Sequence, residues 1–368
     1  MQTSLLQTKK HFFALDGLRG IAAICVVIFH FSEFIYPSDS LSPIGHGYLA
    51  VDFFFCLSGF VIGYAYDDRI QKLGIKQFFI SRLIRLHPLV VIGSIFGFLF
   101  FIFEPSKAVD SYGVGKLIFL LLCTTFLIPY SGMDNRYNNN FGLNCPAWSL
   151  FWEYIANIAY AIILKRINKK WLTLVVFVAA LGLLWTGYHA GDIAGGWSGN
   201  NFWDGFARIG FSFSMGLLLY RLRWKSKKQI GFILLTILLM ATFFAPFISK
   251  WNWLIECLIA ILIYPALIIL GTNVAQNNIA QKVCKFLGDI SYPLYMTHYS
   301  LVWYFGYYHE KNKWSISQSW CITAVGVVLV ILFAYAVEIL LDAPIRKYFS
   351  NKRKEKLASY KTSENRSL

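Results

Sequence analysis

The sequence predicts an all-α fold, a polytopic bundle of about ten transmembrane helices with both termini in the cytoplasm. Three observations carry that expectation. Hydrophobic residues make up 57% of the 368 residues, and mean hydropathy is +0.53. Charged residues contribute 14%, against about 25% in a typical globular chain. Apolar stretches near the ~20 residues needed to cross a bilayer alternate with short polar segments that gather the cations. So much apolar surface cannot be hidden in a water-soluble core without large exposed patches. The same composition excludes disorder, a collagen-like repeat and a disulfide-stapled scaffold.

Taken in chain order, the first apolar stretch, 13–36, follows Lys9 and Lys10. No A-x-A-like cleavage site follows it and Arg19 interrupts it, so it reads as an uncleaved span rather than a signal peptide. Further spans are expected over 48–66, 86–104, 148–165, 171–188, 204–220, 229–248, 253–270, 289–308 and 317–341. Residues 116–130 are apolar but short and end at Pro129, which predicts a re-entrant or interfacial helix. Charge decides that point. With ten spans, one side collects Lys9 and Lys10, the runs 69–85, 165–170 and 221–228, Lys282 with Lys285, and the tail from Arg346. The opposite side keeps only scattered charges such as Lys107, Arg136, Lys250, Lys311 and Lys313. An eleventh span would invert half of this pattern.

The net charge of +15 therefore reports topology, and no nucleic-acid partner is expected. Residues 1–346 form one membrane domain, and 347–368 a short basic cytoplasmic tail. The seven cysteines show no metal or redox spacing and are expected as packing residues, with Cys145 outside. No metal is expected.

Ionisable groups inside spans are costly and so are functional candidates. Arg19 and His30 are eleven residues apart. At 100° and 1.5 Å per residue they share one helix face to within about 20° and lie ~16 Å apart along the axis. Asp16 and Glu33 fall near the same stripe. The bland alternative is that Arg19 snorkels to the headgroups and His30 merely packs. Asp52, Ser58 and Gly59 lie within an aromatic helix, where Gly59 also suits close helix packing. Arg82 and Arg85 sit three apart at the start of a span, where guanidinium forks fit phosphate oxygens, of a ligand or of lipid. Trp148, Ser149 and Glu153 carry a carboxylate into the fourth span. Tyr292 and His298 complete the polar set, with packing as the other reading.

These residues fall into motifs. Leu15-Asp16-Gly17-Leu18-Arg19-Gly20 leads through a ten-residue gap to His30. Phe54-Phe55-Cys56-Leu57-Ser58-Gly59-Phe60 follows, then Arg82-x-x-Arg85-x-x-Pro88 and Trp148-Ser149-Leu150-x-x-Glu153. Gly288-Asp289-Ile290-Ser291-Tyr292-Pro293-Leu294-Tyr295 leads to His298, and Asp342-Ala343-Pro344 closes the series. In this order the chain resembles acyltransferase family 3, integral-membrane acyltransferases that include bacterial surface-polysaccharide O-acetyltransferases. It departs at His87, where the family more often has an aromatic residue, and at Asp342, where it more often has glutamate. The hydrolase-like extension of some members is not expected.

The resemblance implies transfer of an acyl group, acetyl or succinyl, from cytoplasmic acyl-CoA to a hydroxyl of an extracytoplasmic or lipid-linked glycan. It also implies a bacterial cytoplasmic membrane, with acetyl-CoA as a donor substrate rather than a resident cofactor. Arg82, Arg85 and Arg19 would hold the CoA phosphates. His30 would accept the hydroxyl proton or carry the acyl group itself. Glu153 would orient His30 or the acceptor, while Ser58 and Tyr292 are candidate oxyanion donors. Trp197, Trp203 and Trp314 suit sugar stacking or a membrane belt. The rival class is a transporter or flippase without chemistry, which labelled acetyl-CoA would distinguish.

Overall fold

The computed structural model describes residues 10–224, 226 and 229–364, the last stretch 358–364 as backbone only. Lys9, Lys225, Lys227, Lys228 and the end of the tail lie outside the described residues. The architecture is all-helical. Among the described residues the sole strand-like feature is an isolated bridge between Asn139 and Ser198 that ties two loops together.

The helices run in order as α1 (Phe13–Ile35), α2 (Gly47–Tyr66), α3 (Ile75–Ile102), α4 (Val114–Thr125), α5 (Ala147–Leu164), α6 (Lys169–Ala190) and α7 (Asp204–Leu222). Then come α8 (Phe232–Phe243), α9 (Asn252–Gly271), α10 (Asn278–Thr297), α11 (Tyr299–Asn312), α12 (Ile316–Val337) and α13 (Ala343–Glu364). A wide π turn, Glu338–Asp342, joins the last two. Among the described residues, seven helices are long and apolar enough to cross a membrane: α1, α2, α3, α5, α6, α9 and the one built on α12.

The remaining expected spans differ for identifiable reasons. Helix α7 is long enough but carries Asp204, Arg208 and Arg221. Helix α8 has 12 residues, ~18 Å at 1.5 Å per residue, which falls short of a ~30 Å hydrocarbon layer. The same arithmetic applies to α4, also 12 residues, in keeping with the short helix expected there. The span expected over 289–308 is two helices, broken at His298. Pro293 offers no N–H to the preceding turn. The His298 ring nitrogen Nδ1 also shares the Leu294 carbonyl, at 2.9 Å, with its own backbone N–H. A side chain entering the ladder in this way is a recognised cause of a helix break.

Helices α1 and α2 are central, with 61% and 67% of their apolar windows buried, whereas α6 and α12 bury 22% and 17% and turn apolar faces outward. The closest pairings are α1 with α10 and α2 with α7. Glycine makes the second possible. A Cβ at Gly59 would collide with the Phe213 carbonyl, and one at Gly216 with the Cys56 carbonyl. Two backbones can approach so closely only where neither carries a side chain. These pairings bring α1, α2, α3, α5 and α10 around the polar interior.

Candidate active site

Among the described residues, two neighbouring cavities in that interior gather the polar side chains and share Val51 and Tyr295 in their linings. The first is partly open, spans about 1060 Å³ with its mouth included, and gathers the arginines. Helix α1 supplies Arg19, whose Nε donates to Ser291 Oγ at 2.8 Å and whose Nη2 donates to the Gly288 carbonyl at 2.7 Å. Asp16 lies 3.4 Å from the same guanidinium. Arg19 is thus held by α10 rather than released to the headgroups. Helix α3 supplies Arg82, buried, whose Nη2 donates to Glu153 Oε1 at 2.8 Å. Ser58 Oγ donates to the same carboxylate oxygen at 2.7 Å. Arg85, one turn on, lines the cavity and makes no hydrogen bond or ion pair among the described residues. It is the guanidinium left open to an anion.

The second cavity is also partly open, spans about 1230 Å³ with its mouth included, and is lined by His30. Its Nδ1 lies 2.5 Å from Glu33 Oε2, one helical turn away. The imidazole stacks on His298 with centroids 5.3 Å apart and meets the edge of Tyr299 at 5.0 Å. His298 is fully buried, and its Nε2 has no hydrogen-bond partner among the described residues. Asp39, on the loop after α1, also lines this cavity. Burial, helped by the Glu33 carboxylate, pushes its pKa up to about 7. Aromatic side chains from four segments, including Tyr36, Tyr137, Trp148 and Trp197, complete the lining.

The structure therefore divides the residues singled out by the motifs. Arg19, Arg82, Arg85, Ser58, Ser149, Glu153 and Tyr292 line the first cavity; His30, Glu33 and Trp148 line the second. Glu153 does not reach His30. It pairs with Arg82, and Glu33 is the carboxylate on the imidazole. The hydroxyl protons of Ser58 and Tyr292 are already committed, to Glu153 and to the Leu86 carbonyl (2.7 Å), so neither is free as an oxyanion donor. Asp52 lies in neither cavity. It forms a fully buried pair with Arg208 of α7, 2.7 Å from Nη2, and Trp148 covers that guanidinium with its ring. Of the tryptophans expected to meet sugar, Trp197 lines the second cavity while Trp203 and Trp314 do not. Cys145, expected outside, is buried against the same cavity.

Three side chains escaped the sequence reading. Arg208 answers the unpaired Asp52, and a carboxylate in one span is itself a signal to look for a cation in another. Arg136 lines the second cavity, pairs with Glu104 and lies over the Trp303 ring at 3.8 Å. Arg346 meets Glu338 at 2.6 Å and Asp342 at 2.8 Å on the rim of the first cavity. That contact places the Asp342-Ala343-Pro344 motif at the arginine cavity.

The family profile described as an acyltransferase domain matches residues 12–339. A protein from Rhizobium radiobacter, named protein 2 in the picA locus, is 35% identical over 185 residues, covering 48% of this chain and 94% of its own length. The peptidoglycan O-acetyltransferase OatA of Listeria monocytogenes is 29% identical over 200 residues, 50% of this chain and 29% of that protein. A Staphylococcus aureus protein named as an O-acetyltransferase is 23% identical over 363 residues, 90% of this chain and 57% of its own. The chain thus spans well under two thirds of the two relatives named as O-acetyltransferases. No solved structure matches it. A profile that runs from the start of α1 into the π turn takes in the whole lining of the second cavity, that of the first except Asp342 and Arg346, and every motif but the last, and the chain belongs to this acyltransferase family.

Proposed function

We propose that the protein moves an acetyl group from cytoplasmic acetyl-CoA to a hydroxyl of an extracytoplasmic or lipid-linked glycan. One observation carries the reading: an arginine-lined cavity and a histidine–carboxylate cavity lie back to back inside one bundle. The first suits the polyphosphate end of the donor, with Arg85 unpaired and ready for a charge-assisted contact. The second suits an uncharged hydroxyl that must lose a proton. Relatives named as O-acetyltransferases, one of them of peptidoglycan, support the acetyl group and the glycan.

The chemistry follows from the dyad. Glu33 accepts the Nδ1 proton of His30, so the neutral ring presents its Nε2 lone pair. The acceptor hydroxyl gives its proton to Nε2 as its oxygen attacks the thioester carbonyl carbon. The tetrahedral adduct then expels the CoA thiolate, which takes up the proton from the imidazolium, and the ester remains on the acceptor. His30 is restored and no group stays on the protein. Both termini and the arginine cavity lie toward the cytoplasm in this reading, where acyl-CoA is made.

The test incubates membranes carrying the protein with radiolabelled acetyl-CoA and isolated surface glycan. Label in the glycan, lost with His30→Ala in a protein still abundant and inserted, is the expected result. Glycan that crosses the membrane unlabelled would mean a flippase instead.

A further inference from the structure

The two cavities meet at side chains that line both of them. Val51 of α2 and Tyr295 of α10 are the two residues common to both linings. On α5 the change of side falls between neighbours, because Trp148 faces the His30 cavity and Ser149 the arginine cavity. The place where a group held by the arginines comes nearest a hydroxyl in the His30 cavity is therefore the boundary that Val51 and Tyr295 share.

Both residues are fixed. Val51 is 5% exposed, and a β-branched side chain on a helix has essentially one rotamer. Tyr295 is 7% exposed, its hydroxyl hydrogen-bonds Ser149 Oγ at 2.8 Å, and Phe54 meets its ring edge-on at 5.7 Å. Of the two, Val51 has no second rotamer to adopt, whereas Tyr295 is held by a side-chain hydrogen bond that can be exchanged.

We infer that Val51 and Tyr295 form the slot that selects the acyl group by length, admitting acetyl and rejecting longer chains. The inference rests on the proposed transfer from acyl-CoA and adds to it a specificity determinant. The donor threads its arm from the arginine side, the tyrosine swings off Ser149, and the acyl carbonyl enters the slot with its methyl group ahead of it. Each further methylene must find room against Val51. A single methylene in such a pocket typically changes selectivity by about 10- to 200-fold.

The experiment uses membranes of expressing cells, with their own envelope glycan as acceptor, and compares radiolabelled acetyl-CoA with butyryl-CoA. Wild type is expected to favour acetyl strongly. Val51→Ala should raise the butyryl-to-acetyl ratio of kcat/KM by about tenfold or more. Val51→Phe should abolish acetyl transfer while acetyl-CoA still binds the detergent-purified protein, since the obstruction lies beyond the phosphates. Tyr295→Leu opens the slot from the other side and should shift the ratio in the same direction, a check that survives if Val51→Ala fails to fold. A folded, donor-binding Val51→Ala or Tyr295→Leu protein with the wild-type ratio overturns the slot, as does an active Val51→Phe enzyme. Wild-type membranes that transfer neither chain would remove the functional reading itself, a result distinguishable from failure of the slot alone.

Discussion

Arg85 and His30 divide the work in the proposed reaction, and single substitutions should separate them. Arg85→Ala removes the one unpaired guanidinium of the first cavity and should weaken acyl-CoA binding by about 1.5–3 kcal/mol, roughly 10- to 150-fold in Kd. Arg85→Lys should recover part of this, because charge returns without the fork. His30→Gln should leave donor binding intact and lower kcat by about 10²- to 10⁴-fold. Equilibrium binding to purified variants, beside turnover, reads both; reversal of the two effects would reverse the assigned roles. Asp39 makes a separate prediction about stability. Its pKa stands near 7 in the fold against an ordinary 3.8, so between those values the folded protein holds a proton that the unfolded chain has released. The stabilisation is complete below the lower value and disappears as pH rises through the upper one. The thermal midpoint of wild type relative to Asp39→Asn should therefore fall as pH is raised across that interval, and a pH-independent difference would contradict the assignment.

At the scale of elements, the α2–α7 pairing combines two glycine contacts with the buried Asp52–Arg208 pair. Arg208 also donates to the carbonyls of Tyr48, Ala194 and Gly195, so one guanidinium holds a second point on α2 and ties α7 to the loop before it. Asp52→Asn should cost about 3–5 kcal/mol, because it leaves that cation buried without its counter-charge. Replacing both partners with apolar residues should cost less, measured as the thermal midpoint in detergent. Much of this level was legible in advance. Apolar runs located α1, α2, α3, α5, α6, α9 and α12, because spans are specified by local composition. The break at His298 was not legible, since it arises from a side chain competing for one carbonyl inside an otherwise continuous apolar run. Nor was the partner of Glu153. Sequence spacing fixes neighbours on one helix, as with His30 and Glu33, but not which helices meet across the bundle. The same limit hid the boundary between the cavities, for the Arg19–His30 stripe gives no sign that its two ends open into different spaces.

The whole molecule reads as a membrane body with its cations on one side. A cysteine replacing exposed Ser131, in a background lacking the native cysteines, should react with an impermeant thiol reagent added to intact cells. One replacing exposed Arg166 should react only after the membrane is opened. The opposite pattern would reverse the orientation assigned from charge. The back-to-back cavities have a further electrical consequence. Where each cavity opens to the solution on its own side, that solution reaches inward, and the insulating layer narrows to the part of the bundle around Val51 and Tyr295. A membrane voltage would then fall mainly across that layer, where moving one elementary charge against 100 mV amounts to ~2.3 kcal/mol. An uncharged acetyl group can cross that layer without electrical work, whereas an acyl group ending in a carboxylate would feel nearly the full potential.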